Sequence, residues 1–261
     1  MRTILVGDIH GCCHHFIKLL KKVHYNKNRD RLILMGDLMD RGPWSHEMLM
    51  LAVRWKRENP NRFFMIRGNH EQMIVEQDKS LERQLIWRCV GKGASLRSFR
   101  RHKDKMENYI PWILKNMPLA FEDSRFQCVH ASIAEEKIDH NSLDLLVKDH
   151  SWSKKNLYQG KLTIIGHTPL DEPTYYDGSG CQGLFLEYHQ WQPLPEKGAI
   201  CIDTGCVYGN KLTAMIIEDG NFCLEMVPGT CYFDGSSENY IKYVKKFCHF
   251  PQTIRNFYDK I

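Results

Sequence analysis

No stretch of the chain approaches the roughly 18 consecutive apolar residues of a membrane-spanning helix. The first apolar run, Ile4–Val6, is too short for the core of a secretory signal. Low-complexity tracts, internal repeats and a Pro/Gly/Ser-rich linker are missing as well. The ten cysteines include no CxxC pair, which argues for reduced thiols rather than a disulfide framework. There is also no CxxxxxR loop, and this excludes the thiolate chemistry of cysteine phosphatases for Cys12 and Cys13. Net charge is only +5, which permits an anionic substrate but is a weak sign of nucleic-acid binding. These absences point to a reduced, cytoplasmic globular protein with no membrane segment, for which nucleic acid is not the expected partner. The 261 residues are read as one domain with ample material for a core.

What the chain does contain is one pattern, three times over. TILVGDIHG, RLILMGDLMDRG and RFFMIRGNHE each run from strand-length apolar residues into glycine and polar side chains. Between them, Phe16, Leu19, Leu20 and Val23, and then Met48, Leu51, Ala52 and Trp55, recur at helical spacing. Asp8 and Asp37 are 29 positions apart, and Asp37 and Asn69 are 32 apart, as consecutive βαβ units require. Parallel strands deliver their C-terminal ends to one edge, where open α/β sheets bind ligands. Asp8, His10, Asp37, Asp40, Arg41, Arg67, Asn69 and His70 are therefore expected to share one site. Two later runs, RFQCVHAS and KLTIIGHTP, add His130 and His167 in the same way. Carboxylate, imidazole and amide oxygen together suit manganese, iron or zinc better than calcium or a soft copper site.

GDIHG, GDLMDRG, RGNHE, VHAS and GHTP, in this order and spacing, resemble the phosphoprotein phosphatase group of the calcineurin-like metallophosphoesterases. The resemblance covers Met1 to about Glu225. It implies an α/β fold with a central β-sandwich of mixed sheets flanked by helices, and a site for two divalent metal ions. GAICIDTG, KLTAMIIED and NFCLEMVP read as closely spaced antiparallel strands. Carried over by motif, Asp8 and His10 would hold the first metal, and Asp37 would bridge both. Asn69, His130 and His167 would hold the second, with manganese expected and iron or zinc as alternatives. The implied reaction is hydrolysis of a phosphomonoester by a hydroxide bridging the metals. Arg41 would grip phosphate, with Asn69 beside it, and His70 would protonate the leaving oxygen while Asp40 holds its ring. A second family arginine, after a Trp-Ser pair, falls here on Lys154, which keeps the charge and loses the bidentate fork.

Other residues have plainer readings. Glu71 is expected to cap a helix and not to bind metal. Arg67 would bind substrate or pair with an acid. Asp203–Gly209, DTGCVYG, would shape a loop near the metals and offer Tyr208 to substrate. His14, His15, His102 and His189 read as surface or packing residues. Residues 74–116 are expected to form a helical cap whose Arg97, Arg100, Arg101, Lys103 and Lys105 form a solvated face or guide acidic substrates. Residues 237–261 read as an amphipathic helical tail.

Substrate choice turns on two letters. Diadenosine tetraphosphatases of the bacterial type tend to carry ARG and GNHD, where this chain has Asp40-Arg41-Gly42 and Gly68-Asn69-His70-Glu71. A serine alkoxide leaves poorly and needs a positioned acid, so a phosphorylated protein or peptide is the expected substrate. A dinucleoside polyphosphate is the alternative, and a catalytically silent metal-bound scaffold is the third reading.

Overall fold

β1 (Thr3–Val6) is buried along its whole length, and the alternation anticipated from the sequence follows it. α1 (Cys13–Lys22), β2 (Arg31–Leu34), α2 (Ser45–Glu58) and β3 (Phe63–Met65) come next. β1 pairs in parallel with β2, Ile4 opposite Leu32, and β2 in parallel with β3, Ile33 opposite Phe64. The computed structural model describes residues 1–150, 157–180 and 183–233. Lys154 and the expected tail at 237–261 lie outside the described residues.

These strands are apolar on both faces because each face has its own partner. Ile4, Val6, Leu32 and Leu34 pack with Phe16, Leu20 and Trp55 of the two helices. Leu5, Ile33 and Met35 pack with Ile164, Ile200 and Ile202 of a second sheet.

After β3 the chain is helical for some fifty residues. α3 (Asn69–Val75), α4 (Leu81–Trp87), α5 (Gly93–Arg101) and α6 (Ile110–Asn116) are broken by a kink at Gly91, whose φ is 121°. α5 turns Ala94, Ser95, Ser98 and Phe99 inward. Of the basic run, Arg101 is tied down, donating to the Pro43 carbonyl at 2.6 Å.

The second half supplies β4 (Ala120–Glu122), β5 (Gln127–Val129), α7 (Leu143–Lys148), β6 (Thr163–Ile165), β7 (Thr174–Tyr176) and β8 (Leu184–Phe185). β9 (Gln192–Pro193), β10 (Ala199–Cys201), β11 (Lys211–Glu218) and β12 (Asn221–Pro228) complete it. Two mixed six-stranded sheets result, ordered β3-β2-β1-β11-β12-β9 and β4-β5-β6-β10-β7-β8. α7 covers the outer face of the second sheet through Leu146 and Val147. Helices, sheet, sheet and helix thus form the flanked sandwich that the resemblance implied.

One detail differs from the reading of three consecutive antiparallel strands. β11 and β12 do form a hairpin, Leu212 opposite Val227. β10, however, belongs to the other sheet, parallel to β6 and antiparallel to β7. Its Ile200 is in the core between the sheets, while Ala199 and Cys201 meet the outer cluster around α7. The Asp203–Gly209 loop is therefore a crossing between sheets rather than a hairpin turn, and it passes beside the strand ends that carry the site. Among the described residues, no helix is long and apolar enough to cross a membrane.

Candidate metal centre and active site

Five strands deliver the site. Asp8 follows β1, Asp37 follows β2, Asn69 and His70 open α3 after β3, and His130 and His167 follow β5 and β6. Five of the nine predicted site residues among the described residues have backbones in the left-handed region: His10 (φ 44°), Asp37 (47°), Asp40 (68°), Arg41 (65°) and His167 (66°). Non-glycine residues take this region at a cost of about 1–2 kcal/mol each, and such strain concentrates at functional sites. A lattice of main-chain bonds holds it. The Asp37 carbonyl accepts from the amides of Ile9 (3.2 Å) and His10 (2.8 Å), and the Leu38 carbonyl accepts from Gly11 (2.8 Å). Gly68 is obligatory here, because a Cβ on it would lie 2.1 Å from Asp37 Oδ1.

Asp37 stands at the centre. His10 Nε2 is 3.4 Å from its Oδ2, and His130 Nε2 is 3.4 Å from its Oδ1. Oδ1 also accepts the His70 amide at 3.0 Å. Two ligand triads converge on this one carboxylate, His10–Asp37–His70 and Asp37–His130–His167, each with its donor atoms within 4.8 Å of one another. Asn69 Oδ1 joins the second, 3.1 Å from His130 Nε2 and 2.9 Å from His167 Nδ1. Asp8 stands outside both triads. Its Oδ2 accepts the His167 amide at 3.1 Å.

The donors fit divalent ions. Asp8 Oδ1, His70 Nε2 and His167 Nε2 are buried without a hydrogen-bond partner among the described residues. Orphans of this kind are rare in proteins unless a ligand or ion satisfies them. Burial and the neighbouring Asp203 push the Asp8 carboxyl well up. Burial opposes a charge on His130, but Asp37 and Asp8 outweigh it and raise the ring to about 10. Burial and His130 hold His167 down at about 2. Packed carboxylates that hold a proton on a histidine need positive charge, and a metal supplies it in the proton's place. The ring orientations are already set, as His10 Nδ1 lies 2.9 Å from the Met39 carbonyl and His130 Nδ1 lies 2.8 Å from that of Met35. Such outer bonds fix which nitrogen faces a metal.

His70 and Asp40 form a second unit. His70 Nδ1 is 2.7 Å from Asp40 Oδ2, both side chains are fully buried, and Nε2 lies 3.9 Å from Asp37 Oδ2. Asp40 is held by groups the sequence did not announce. Trp87 Nε1 donates to Oδ2 at 2.6 Å, and the Ser95 hydroxyl donates to Oδ1 at 2.6 Å. Both come from the helical region read as a surface cap.

Arg41 spans the mouth. Its guanidinium contacts His10 Nε2, donates to the Val90 carbonyl at 3.3 Å and lies 5.5 Å from the centre of the Tyr208 ring. Tyr208 is partly exposed, as a substrate contact requires. Arg67 instead donates to the Met117 carbonyl (3.1 Å) and Gln72 Oε1 (3.0 Å), so it braces α3 against α6. His14 and His15 sit largely buried on α1. His102 and His189 sit beside Glu47 and Glu225. A cleft of about 430 Å³ opens beside Asn69 and His167, lined by Met73, Glu76, Arg83, Ile86 and Lys148. His150, which carried no motif, stacks on His167 at 4.1 Å.

Two acids have more to do than the sequence suggested. Asp203 is buried, accepts the Gly205 amide at 3.0 Å, and is raised by burial to about 6. Glu71 caps α3 as expected, accepting from Gly68 N at 3.1 Å. It also accepts the amides of Asp37 and Leu38, both at 2.9 Å, and so fixes the strained loop itself. Glu71→Leu strands three buried N–H groups, each costing about 1–3 kcal/mol. We expect a loss of about 3 kcal/mol or more in urea unfolding of the metal-free protein; a loss below about 1 kcal/mol would remove this role.

The chain is similar to known proteins over most of its length. Residues 1–210 match the family model described as calcineurin-like phosphoesterase. An asymmetrical bis(5'-nucleosyl)-tetraphosphatase, PrpE, from Anoxybacillus flavithermus is 25% identical over 248 residues, covering 81% of this chain and 88% of that protein. Serine/threonine-protein phosphatase 1 of Salmonella typhimurium is 28% identical over 235 residues, covering 82% and 91%. A protein serine/threonine phosphatase structure from Saccharomyces cerevisiae superposes with a TM-score of 0.59 at 16% identity, covering 90% of this chain and 82% of that one.

Proposed function

This chain belongs to the calcineurin-like phosphoesterase family and is a metallophosphoesterase, and from that premise we propose that it is a Ser/Thr-type protein phosphatase. The observation that carries the reading is the buried Asp40–His70 pair, with His70 Nε2 unpaired beside Asp37. A phosphoserine or phosphothreonine ester expels a strongly basic alkoxide, and a positioned acid is worth most for such a leaving group. Asp40, locked by Trp87 and Ser95, sets the ring so that Nε2 faces the leaving oxygen.

Asp8, His10 and Asp37 would hold one divalent ion, and Asp37, Asn69, His130 and His167 the other. Manganese is the proposed ion, and iron or zinc would suit the same nitrogen and oxygen donors. Bound there, the pair supplies Lewis acidity toward phosphoryl oxygens and a nucleophilic water at neutral pH. Arg41 presents its planar fork to the phosphate, with Lys154 as a proposed second cation. Tyr208 and Val90 keep the Arg41 side chain in place. Asp37 makes the separation of two like charges tolerable.

A second reading is supported by the similarity to PrpE across most of both chains. In that reading the substrate is a dinucleoside polyphosphate, the broken bond is a phosphoanhydride, and the leaving phosphate needs less help from His70. A direct competition separates the two. Manganese-loaded protein is offered a phosphothreonine peptide and diadenosine tetraphosphate together, and inorganic phosphate and nucleotide products are quantified. We expect phosphate from the peptide and little nucleotide product. Dominant release of ADP, or of ATP with AMP, would overturn the proposal in favour of the nucleotide substrate. Neither product with two metals bound would leave a metal-binding scaffold.

A further inference from the structure

We propose a third metal site, separate from the catalytic pair, in which Cys12, His15 and Cys206 bind one zinc-class ion. Cys12 is the N-cap residue of α1, and His15 lies one turn further along the same face. Cys206 arrives from the loop that crosses between the sheets. One donor atom from each of the three lies within 4.8 Å of the other two. The residues are buried, at 0%, 6% and 1% exposure. His15 Nε2 is 3.0 Å from the Thr230 hydroxyl, but Nδ1 is buried with no partner among the described residues. One ring nitrogen engaged by an outer group and the other left open is the arrangement of a metal-binding histidine.

The donor chemistry selects the ion. Two thiolates and an imidazole suit zinc or its softer neighbours, whereas the catalytic pocket offers only nitrogen and oxygen. A tetrahedral ion with Zn–S bonds of about 2.3 Å holds its sulfurs about 3.8 Å apart. Small side-chain adjustments inside the 4.8 Å cluster reach that spacing. Binding exchanges two thiol protons for the ion, so no oxidant is needed. The two thiolate charges cancel a divalent charge, which is what apolar surroundings such as Val207 and Tyr232 demand. A water fills the fourth position.

Such an ion would pin three segments that frame the active site. α1 begins three residues after His10, and the Cys206 loop carries Asp203 and Tyr208. The Thr230–Phe233 segment is bonded to that loop through Thr230 N to Cys206 O (3.2 Å) and Tyr232 N to Val207 O (2.8 Å). Phe233 lies 6.0 Å from the Arg41 guanidinium.

Cobalt distinguishes this site from the catalytic one, because only a thiolate ligand gives an intense near-ultraviolet charge-transfer band. Metal-free, reduced wild-type protein titrated with cobalt under nitrogen is expected to bind three equivalents and develop the band. Cys206→Ala should abolish the band and leave two equivalents. His15→Gln should keep both thiolates and weaken the third ion by about tenfold or more. A wild-type arm needs no variant to fold: an organomercurial should release one zinc of three. Absence of the band at saturation, a limit of two ions, or a band that survives both Cys12→Ala and Cys206→Ala would overturn the proposal. So would a Cys12–Cys206 disulfide in protein purified under nitrogen.

Discussion

Asp37→Asn is expected to lower bound metal and turnover together. Asparagine is the right probe because Asp37 has a φ of 47°, and asparagine tolerates the left-handed region better than other non-glycine residues. The amide oxygen can still accept the His70 N–H that Oδ1 accepts at 3.0 Å. What disappears is the charge and the second equivalent oxygen. His10 approaches Oδ2 and His130 approaches Oδ1, so each half of the site loses a different share of the same group. Two divalent ions about 3.5–4 Å apart repel strongly, and the shared carboxylate is the group best placed to offset this. We expect occupancy to fall from two ions to one or fewer. The metals contribute several kcal/mol at the transition state, and at 1.36 kcal/mol per decade the rate should fall by about 10³. Elemental analysis after gel filtration, with initial rates on the same sample, is the check. Full occupancy with a near-normal rate would mean that Asp37 does not bridge.

The sequence carried much of this arrangement because it is encoded locally. An apolar strand followed by a polar ligand is a short-range signal; three copies at crossover spacing place Asp8, Asp37 and Asn69 at strand ends, and two later copies place His130 and His167 in the same way. Contacts made over long separations were not legible. Trp87 and Ser95 reach Asp40 from 47 and 55 residues away. Their segment shows a basic, helical pattern whose outward face hides the inward one. Asp203 looked like part of a glycine-rich turn, and only its burial beside Asp8 reveals its electrostatic weight. β10 reads like its sequence neighbours because a three-residue apolar strand carries no mark of which sheet it joins. Glu71 reads as a cap and not as an anchor, since its other two donors come from a loop thirty-odd residues earlier.

His70→Asn should separate an acid from a ligand. Its Nε2 is unpaired and only 3.9 Å from Asp37 Oδ2, and the ring belongs to the same triad as His10 and Asp37. Geometry alone therefore admits two roles. The Asp40 bond favours the acid, because a carboxylate on Nδ1 leaves Nε2 to carry a proton toward the leaving oxygen. If so, His70→Asn keeps two metals, and hydrolysis of a phosphoserine peptide falls by about 10²–10⁴, the usual range for a lost general acid. Para-nitrophenyl phosphate, whose leaving group is weakly basic, should lose much less. Asp40→Asn should show the same leaving-group dependence with a smaller loss, because the ring remains but loses the carboxylate that holds its Nδ1. Equal slowing of both substrates would remove the acid role. A drop to one bound metal would make His70 a ligand of the first ion, and the proton for the leaving group would then have to come from solvent.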